Sequence, residues 1–410
     1  MSRLEQLIQE LCPDGVEYRT LGELGSFYSG ITGKSKEDFK DGNAKFITYK
    51  NVYANPAVRI DVEDRVKIAC GEKQRTLQYG DIIFTGSSET PDECGISSVL
   101  TVDTEEELYL NSFCFIFRFD DLDVIVPDFA KHLFRSSELR HQIGKTASGV
   151  TRFNVSKDKM KNVRIPLPPI EVQREIVRIL DNFTELTAEL TAELTARKKQ
   201  YKYYRDKLLE NNMPINNVLL ETVCEVYDGT HQTPEYVESG IPFVSVEDID
   251  DLSATKKFIS QEAFAKFKIK PRKNDVFMTR ITAGVIGKCA VVTNDNDLAY
   301  YVSLALLRPN ADVINSRYLK HYLESGIGRS ELAKRILWNA TPTKINKDDI
   351  GKLAISLPPL DVQERMVQVL DNFDAICSDL KIGLPAEIEA RRKQYEYYRD
   401  KLLTFQEKTA

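Results

Sequence analysis

The sequence has 410 residues, 42% of them hydrophobic and 29% charged, with a net charge of −6. This length favours two or three globular domains, and the composition excludes a disordered or fibrous chain. No apolar run reaches the ~18 residues of a membrane span, and the N-terminal residues lack the apolar core of a signal peptide. We therefore expect a cytoplasmic protein with no membrane partner. Seven cysteines and four histidines without zinc-like spacing predict free thiols and no bound metal.

The first part of the chain has the pattern of a β-rich domain with small helices. Residues 2–11 have the apolar spacing of a short amphipathic helix. From residue 18 to residue 110, β-branched and aromatic runs alternate with turns, which is typical of short strands. Residues 128–143 follow with helical spacing, and residues 144–158 have the composition of a polar, basic loop.

The second half of the chain repeats the first. Residues 167–183 and 357–373 are identical at 10 of 17 positions, and residues 197–209 and 391–403 at 11 of 13. This pattern indicates a pseudo-twofold internal repeat of one structural unit. The predicted domains are a β-rich domain at 1–166, a central helix at 167–210, a second β-rich domain at 211–356 and a closing helix at 357–410.

Both repeated segments are predicted as long helices that begin after Leu-Pro-Pro. Each has an apolar stripe of about 40 residues, or ~60 Å, that has to be buried, and the other helix is the only visible partner of equal length. The predicted fold class is α+β, with two β-rich domains joined by two long antiparallel helices that form a coiled coil. Gly383 and Pro385 predict a break or kink before Ala386. The predicted interface comprises Ile176, Leu180, Phe183, Leu186, Leu190, Leu194, Leu370, Phe373, Leu380, Leu384 and Ile388.

The central helix contains the four-residue unit TAEL twice, at residues 187–190 and 191–194. Four residues advance an α-helix by ~6 Å and give it a net rotation of ~40°. One base pair turns B-DNA by ~34–36°. Each unit would therefore re-aim the following domain by nearly one base-pair twist. The alternative is an ordinary helical spacer, which holds unless the protein grips a DNA groove at both ends.

Basic residues are concentrated at matching places in the two halves, although the net charge alone argues weakly against nucleic acid. Residues 131–164 contain nine Lys or Arg against two acids, and residues 317–352 contain eight against four. One such run is more often a solvated surface. The recurrence of the runs in both halves favours a polyanionic partner.

The motifs of phosphate-binding, nucleotide-binding, hydrolytic and amino-methylating enzymes are missing from the sequence. We therefore expect a non-catalytic, binding protein. Loops rich in hydroxyls, glycines and cations recur in pairs, at 85–95 with 279–288 and at 28–34 with 228–234. Each loop alone is equally well a surface turn, but the pairs favour contacts with DNA bases and phosphates. The candidate DNA-binding residues are Lys34, Lys36, Lys50, Arg152, Asn154, Thr230, His231, Thr279, Arg280, Lys288, Lys344 and Asn346.

These repeated features resemble the specificity (S) subunit of type I restriction–modification systems. The resemblance rests on L-P-P-[IL]-x-V-Q and R-x-K-Q-Y-x-Y-Y-R-D-K-L-L, which follow each variable domain. The TAEL units resemble the IC subfamily in particular. The resemblance implies that each domain reads one half of a bipartite, asymmetric site in double-stranded DNA. It also implies that the paired helices set the gap between the halves.

The resemblance further implies partners that carry the chemistry. Two methylation (M) subunits would dock on the helices, and two restriction (R) subunits would then join them. S-adenosylmethionine, ATP and Mg would bind those subunits, and this chain would bind no cofactor. The acidic segment 87–107 lacks a counterpart and is assigned to face an M subunit instead of DNA. Two alternatives are a coiled-coil scaffold whose globular domains bind proteins, and a self-sufficient methyltransferase or nuclease.

Overall fold

The computed structural model describes residues 2–210, 217–378 and 382–408. The chain divides into two compact units, residues 1–190 with 388–410 and residues 191–387. Both divisions fall within the repeated helical segments. Each unit therefore combines one β-rich domain with parts of both segments. The predicted α+β class with two repeated β-rich domains is confirmed.

The first repeat alternates short strands with short helices. Its helices are α1 (Arg3–Leu11), α2 (Leu21–Leu24), α3 (Tyr49–Ala54), α4 (Pro127–Leu133), α5 (Ser137–Gly144) and α6 (Lys157–Met160). Its strands are β1 (Glu17–Thr20), β2 (Gly25–Ser29), β3 (Ala44–Ile47), β4 (Arg65–Val66), β5 (Ile82–Thr85), β6 (Ser87–Ser88), β7 (Ser97–Val99), β8 (Leu108–Leu110), β9 (Cys114–Phe119), β10 (Ala147–Ser148), β11 (Phe153–Val155) and β12 (Arg164–Leu167).

The second repeat follows the single long helix α7 (Ile170–Glu210). Its strands are β13 (Asn217–Leu219), β14 (Cys224–Asp228), β15 (Ile241–Val244), β16 (Phe258–Ile259), β17 (Val276–Thr279), β18 (Ile281–Thr282), β19 (Cys289–Val291), β20 (Ala299–Tyr300), β21 (Leu304–Pro309), β22 (Thr343–Lys344) and β23 (Ala354–Ser356). Its helices are α8 (Gln261–Ala265), α9 (Ser316–Glu324), α10 (Gly326–Ala333) and α11 (Lys347–Gly351), followed by α12 (Leu360–Ser378) and α13 (Leu384–Leu402).

The sheets of the two repeats have the same topology. A four-stranded antiparallel sheet has the order β2-β9-β5-β7 in the first repeat and β14-β21-β17-β19 in the second. Ile82 pairs with Phe117 in one sheet, and Val276 pairs with Leu307 in the other. Three-stranded sheets also match, with order β4-β3-β8 and β16-β15-β20, and each contains one parallel pair. The repeated sequence therefore encodes a repeated framework.

The start of each repeated helix belongs to the core of its own domain. In the first unit, Ile176 and Leu180 are fully buried among aromatic residues of the four-stranded sheet and of α4. Gln173 is also fully buried, and its side chain bonds to the backbone of Val124 and Val126. Gln363 makes the equivalent bonds in the second unit. The Val-Gln of the repeated motif therefore fastens helix to domain, because buried backbone groups need partners.

The helices pair within each unit, and the second is broken. Phe373 of α12 stacks on Tyr204 of α7 with ring centroids 5.9 Å apart, and Phe183 of α7 stacks on Tyr398 of α13 at 5.3 Å. The residues of the predicted interface are half-buried or buried wherever they are described, and Leu380 lies outside the described residues. A break falls between α12 and α13, as Gly383 and Pro385 predict. Helix α13 begins two residues before the predicted restart, because proline fits the first turn of a helix.

Candidate nucleic-acid interface

A small two- or three-stranded sheet gathers the predicted DNA-binding loops in each unit. In the first unit, β11 pairs with β6, so Asn154 lies opposite Ser87. In the second unit, β18 pairs with β22, so Ile281 lies opposite Lys344. The loop at 85–95 therefore meets residues 151–154, and the loop at 279–288 meets residues 343–346. All four segments contain loops or residues that the sequence analysis selected, and the fold places the two segments of each unit side by side.

Arg152 is exposed at the small sheet of the first unit. Its Nε and Nη2 donate to the Ser87 hydroxyl at 3.1 and 2.9 Å, and its guanidinium carbon lies 5.7 Å from the centroid of the Phe113 ring. Asn154 is exposed on the neighbouring strand position. Both side chains are thus accessible to a ligand.

The three other candidates of the first unit have different surroundings. Lys34 has a side chain only 9% exposed, and its ammonium bonds to the Glu72 carboxylate and the Lys67 carbonyl, both at 2.6 Å. The hydrogen bond from Lys34 is the main reason that the pKa of Glu72 is lowered to about 2. Lys34 therefore bridges two segments of its own domain, and its assignment to DNA stays a prediction. Lys36 and Lys50 are exposed.

Arg280 in the second unit is buried and paired with an acidic residue. Its side chain is 7% exposed, and its guanidinium pairs with the Asp228 carboxylate and donates to the carbonyl of Ile345. The neighbouring Thr279 is 1% exposed and donates to the Val285 carbonyl. Neither side chain can reach a base without leaving a buried partner. Both side chains stabilise the loop in this structure, and their contact with DNA stays a prediction.

The remaining candidates of the second unit lie at the surface or close to it. Lys288 pairs with Asp250 at 2.6 Å and keeps 41% exposure. The Thr230 hydroxyl donates to the Gln232 carbonyl within its own turn. His231 and Asn346 are exposed, and Lys344 is half-buried in β22. Lys344 therefore lies in the small sheet, and Asn346 lies two positions after it.

Exposed apolar side chains at these loops escaped the sequence analysis. Phe113 and Val150 of the first unit are 57% and 92% exposed, and Val285 and Trp338 of the second are 61% and 65% exposed. Single exposed apolar side chains are common on protein surfaces, so these four residues are of interest because they lie beside the predicted DNA-binding loops. The available signal was an isolated hydrophobic residue within each polar turn, and Trp338 is the only tryptophan of the sequence.

A second repeated arrangement ties each domain to the returning helix. In the first unit, His132 of α4 bonds to Asp181 of α7 and to the Tyr395 hydroxyl of α13, each at 2.8 Å. In the second unit, His321 bonds to Asp371 at 2.8 Å and to the Tyr201 hydroxyl at 2.9 Å. The tyrosine comes from the helical segment of the opposite repeat in both cases.

The described part of the chain contains neither a metal-binding cluster nor a membrane-spanning helix. No cluster of three or more His, Cys, Asp or Glu that could hold a metal ion occurs among residues 2–210, 217–378 and 382–408. In the same ranges, no helix has both the length and the apolar character required to cross a membrane.

The family model of the type I restriction modification DNA specificity domain matches residues 13–197 and again residues 215–390. The chain belongs to this family. Two copies of the specificity domain account for the internal repeat and for the matching sheets. Members of this family serve DNA recognition and not catalysis within a type I restriction–modification complex, in agreement with the missing catalytic motifs.

Curated relatives carry the same description. A putative type I restriction enzyme specificity subunit of Haemophilus influenzae is 34% identical over 272 residues, which cover 63% of this chain and 68% of the relative. The EcoR124I/EcoR124II specificity subunit of Escherichia coli is 33% identical over 275 residues, which cover 61% of this chain and 65% of the relative. The matches thus span about two thirds of each relative.

Solved structures share the specificity-subunit fold over nearly the whole chain. A chain from a study of complex assembly and conformational transition in a type I R-M system has a TM-score of 0.63 at 21% identity, covering 95% of this chain and 97% of that chain. The S subunit of a type I system from M. genitalium has a TM-score of 0.52 at 13% identity, covering 95% and 96%. At these identities the comparison establishes the fold.

Proposed function

We propose that each unit reads one half of a bipartite, asymmetric site in double-stranded DNA. The observation that carries the proposal is one framework with two different surfaces. Arg152, Glu93 and Phe113 lie beside the small sheet of the first unit, whereas Lys344 and Trp338 lie in or beside that of the second. Base edges are read by side chains mounted on a rigid element, so different side chains on one framework read different sequences.

The helices supply spacing and a docking surface in this proposal. Two M subunits bind the paired helices and position their own active sites, and two R subunits join the assembly for cleavage. S-adenosylmethionine, ATP and Mg bind those partner subunits, and this chain binds no cofactor. The TAEL repeat supports an IC-like spacer, and a cytoplasmic location suits a protein that acts on the chromosome.

A methylome measurement tests the proposal. The full chain is co-expressed with its M subunit in a host that lacks the system, and long-read sequencing then reports methylated adenines. We expect one motif of two short half-sites separated by an unread gap. Omission of the chain should abolish the methylation. If methylation is sequence-independent or unchanged without the chain, the coiled-coil scaffold that binds proteins becomes the better explanation.

A further inference from the structure

A cavity of about 550 Å³ opens beside β6 in the first unit and has chemically distinct walls. Arg152 and Phe113 lie on its lining together with Tyr49, Tyr53 and Glu93. The two tyrosine rings are stacked, with centroids 6.2 Å apart and planes inclined by 15°. The cavity therefore combines flat aromatic groups with one cation and two carboxylates, Glu93 and the exposed Glu89, and it is open to solvent.

The Arg152 guanidinium is held in place by two hydrogen bonds and keeps other donors free. Ser87 accepts from Nε and Nη2, and the Phe113 ring lies under the guanidinium carbon. Within the described residues, Nη1 has no hydrogen-bond partner, and Nη2 retains a second hydrogen. These two nitrogens form the end of the guanidinium, the edge that binds two acceptors in one plane.

The Glu93 carboxylate is held on its own wall by other groups. Its Oε1 accepts from the Tyr53 hydroxyl at 2.9 Å, and its Oε2 accepts from the Ser88 hydroxyl at 3.1 Å. The hydrogen bond from Tyr53 is the main cause that lowers the pKa of Glu93, so the group is an ionised acceptor at neutral pH. Each oxygen keeps a further lone pair for a ligand.

Opposite charges line one cavity here without neutralising each other. Arg152 and Glu93 form no ion pair within 4 Å in the described part of the chain, because each is bonded to its own neighbours. A ligand that fits must present acceptors to one wall and a donor to the other. The major-groove edge of a G·C pair does this, since guanine offers O6 and N7 and cytosine offers its N4 amino group.

We propose that this cavity reads one G·C base pair from the major groove, with Arg152 donating to guanine and Glu93 accepting from cytosine N4. The inference rests on the proposed function. An A·T pair in the same position would place the adenine N6 amino group against the arginine and the thymine O4 against the carboxylate. A reversed C·G pair would create the same two mismatches. The cavity therefore selects the pair and its orientation.

The second unit lacks this combination of charges. Lys344 lies at the strand position that corresponds to the arginine, and the loop 279–288 contains no acidic residue. The proposed base-pair contact thus belongs to one half-site only. It also brings the beginning of the acidic segment 87–107 to the DNA, whereas the sequence assigned that segment to an M subunit.

The test uses the full chain with its M subunit and the long-read methylome. Arg152→Lys keeps the charge but loses the planar fork, and Glu93→Ala removes the acceptor. We expect both variants to relax the same G·C pair in the same half-site, with discrimination falling about 5- to 150-fold. Lys161→Ala removes an exposed cation of the same domain and should leave every position of the motif unchanged.

The possible outcomes separate the two proposals. Methylation that keeps the unaltered half-site shows that a variant is folded, so its motif can be interpreted. A uniform loss of methylation with an unchanged motif would make Arg152 a phosphate contact and overturn the inference. Relaxation at an A·T pair, or at different positions in the two variants, would also overturn it while the bipartite function stands. A wild-type chain that directs no bipartite methylation would remove both proposals.

Discussion

The imidazole of His132 lies 2.8 Å from the Tyr395 hydroxyl, although 263 positions separate these residues in the chain. The other ring nitrogen, Nε2, is hydrogen-bonded to the Asp181 carboxylate. Because a carboxylate can only accept, the proton lies on Nε2, and Nδ1 accepts from the tyrosine. The bond therefore joins the first domain to the last helix through a neutral histidine.

Removal of the tyrosine hydroxyl should weaken this junction. Tyr395→Phe leaves the buried Nδ1 of His132 without its donor, which we expect to reduce the free energy of unfolding of the first unit by about 1–3 kcal/mol. Hydrogen exchange of the α13 amides in the full chain measures the effect. Tyr397→Phe, at a 62% exposed position of the same helix, should change exchange by less than ~0.5 kcal/mol. Equal protection in both variants would contradict the prediction.

Acid should destabilise the same junction. Burial is the main cause that lowers the pKa of His132 below its ordinary value, although the hydrogen bond to Asp181 opposes the shift. As the pH falls, the histidine therefore takes up its proton in the unfolded chain before it does so in the folded protein. The contribution of His132 to the free energy of unfolding is fully present above ~pH 6.5 and is lost as the pH falls below that value. Thermal unfolding of His132→Gln between ~pH 7.5 and ~5.5 should show a flatter pH dependence than the wild type. The exposed His141→Gln should reproduce the wild-type slope.

Arg280→Ala should lower the free energy of unfolding of the second unit, and we expect this loss to be its main effect. The substitution leaves Asp228 without its cation, and breaking a buried pair typically costs ~3–5 kcal/mol. Because Asp228 is 31% exposed, we expect a loss of about 2–3 kcal/mol in urea unfolding of the second unit. Lys288→Ala breaks a pair that is 41% and 75% exposed and should cost less than ~1 kcal/mol. A stable Arg280→Ala protein with one relaxed half-site would restore the base-reading assignment.

Trp338→Ala should separate binding from stability. Trp338 is 65% exposed, so we expect the free energy of unfolding to change by less than ~0.5 kcal/mol. Loss of an exposed aromatic at a binding surface should weaken DNA binding at least about tenfold. Electrophoretic retardation in the presence of the M subunit measures this. Leu219→Ala is the matched control, because Leu219 is 43% exposed on a different sheet of the same unit.

Insertion of one TAEL unit after Leu194 should change the spacing alone. The added ~40° of rotation is close to one base-pair twist, so we expect the gap to lengthen by about one base pair. Both half-sites should stay the same in the methylome. Insertion of two residues supplies the control, since it rotates the helix by ~200° and should abolish methylation. Altered half-site bases after the TAEL insertion would argue against a spacer.

Much of the framework was accessible from the sequence, because the repeat and the apolar stripes are local or periodic signals. Short strands and helices were harder to predict, because they depend on partners that are distant in the chain. Residues 144–158 read as a loop, yet they contain β10 and β11, which form only because β6 supplies a partner. The predicted helix at 128–143 is two helices, since Ser136 caps a new one.

The candidate site was predicted only in part, because exposure depends on tertiary partners. Arg152 and Arg280 are the same residue type and each lies next to the small sheet of its unit, but only Arg280 meets a carboxylate from a distant strand. Glu93 lies in the acidic segment 87–107, and Phe113 lies just after the region of predicted short strands. Their positions beside Arg152 result from the sheet pairing of β6 and from the turn before β9, which no local pattern encodes.

The exchange of tyrosines between repeats bears on how such proteins diversify. Tyr201 serves His321, and Tyr395 serves His132, so each helix end is fitted to the domain of the other repeat. The segments that carry these tyrosines are identical at 11 of 13 positions, while the domain surfaces differ. The same tyrosine–histidine contact therefore connects helix and domain in both halves of the chain. A different domain with a histidine at the same position would meet the same tyrosine in either half of the chain.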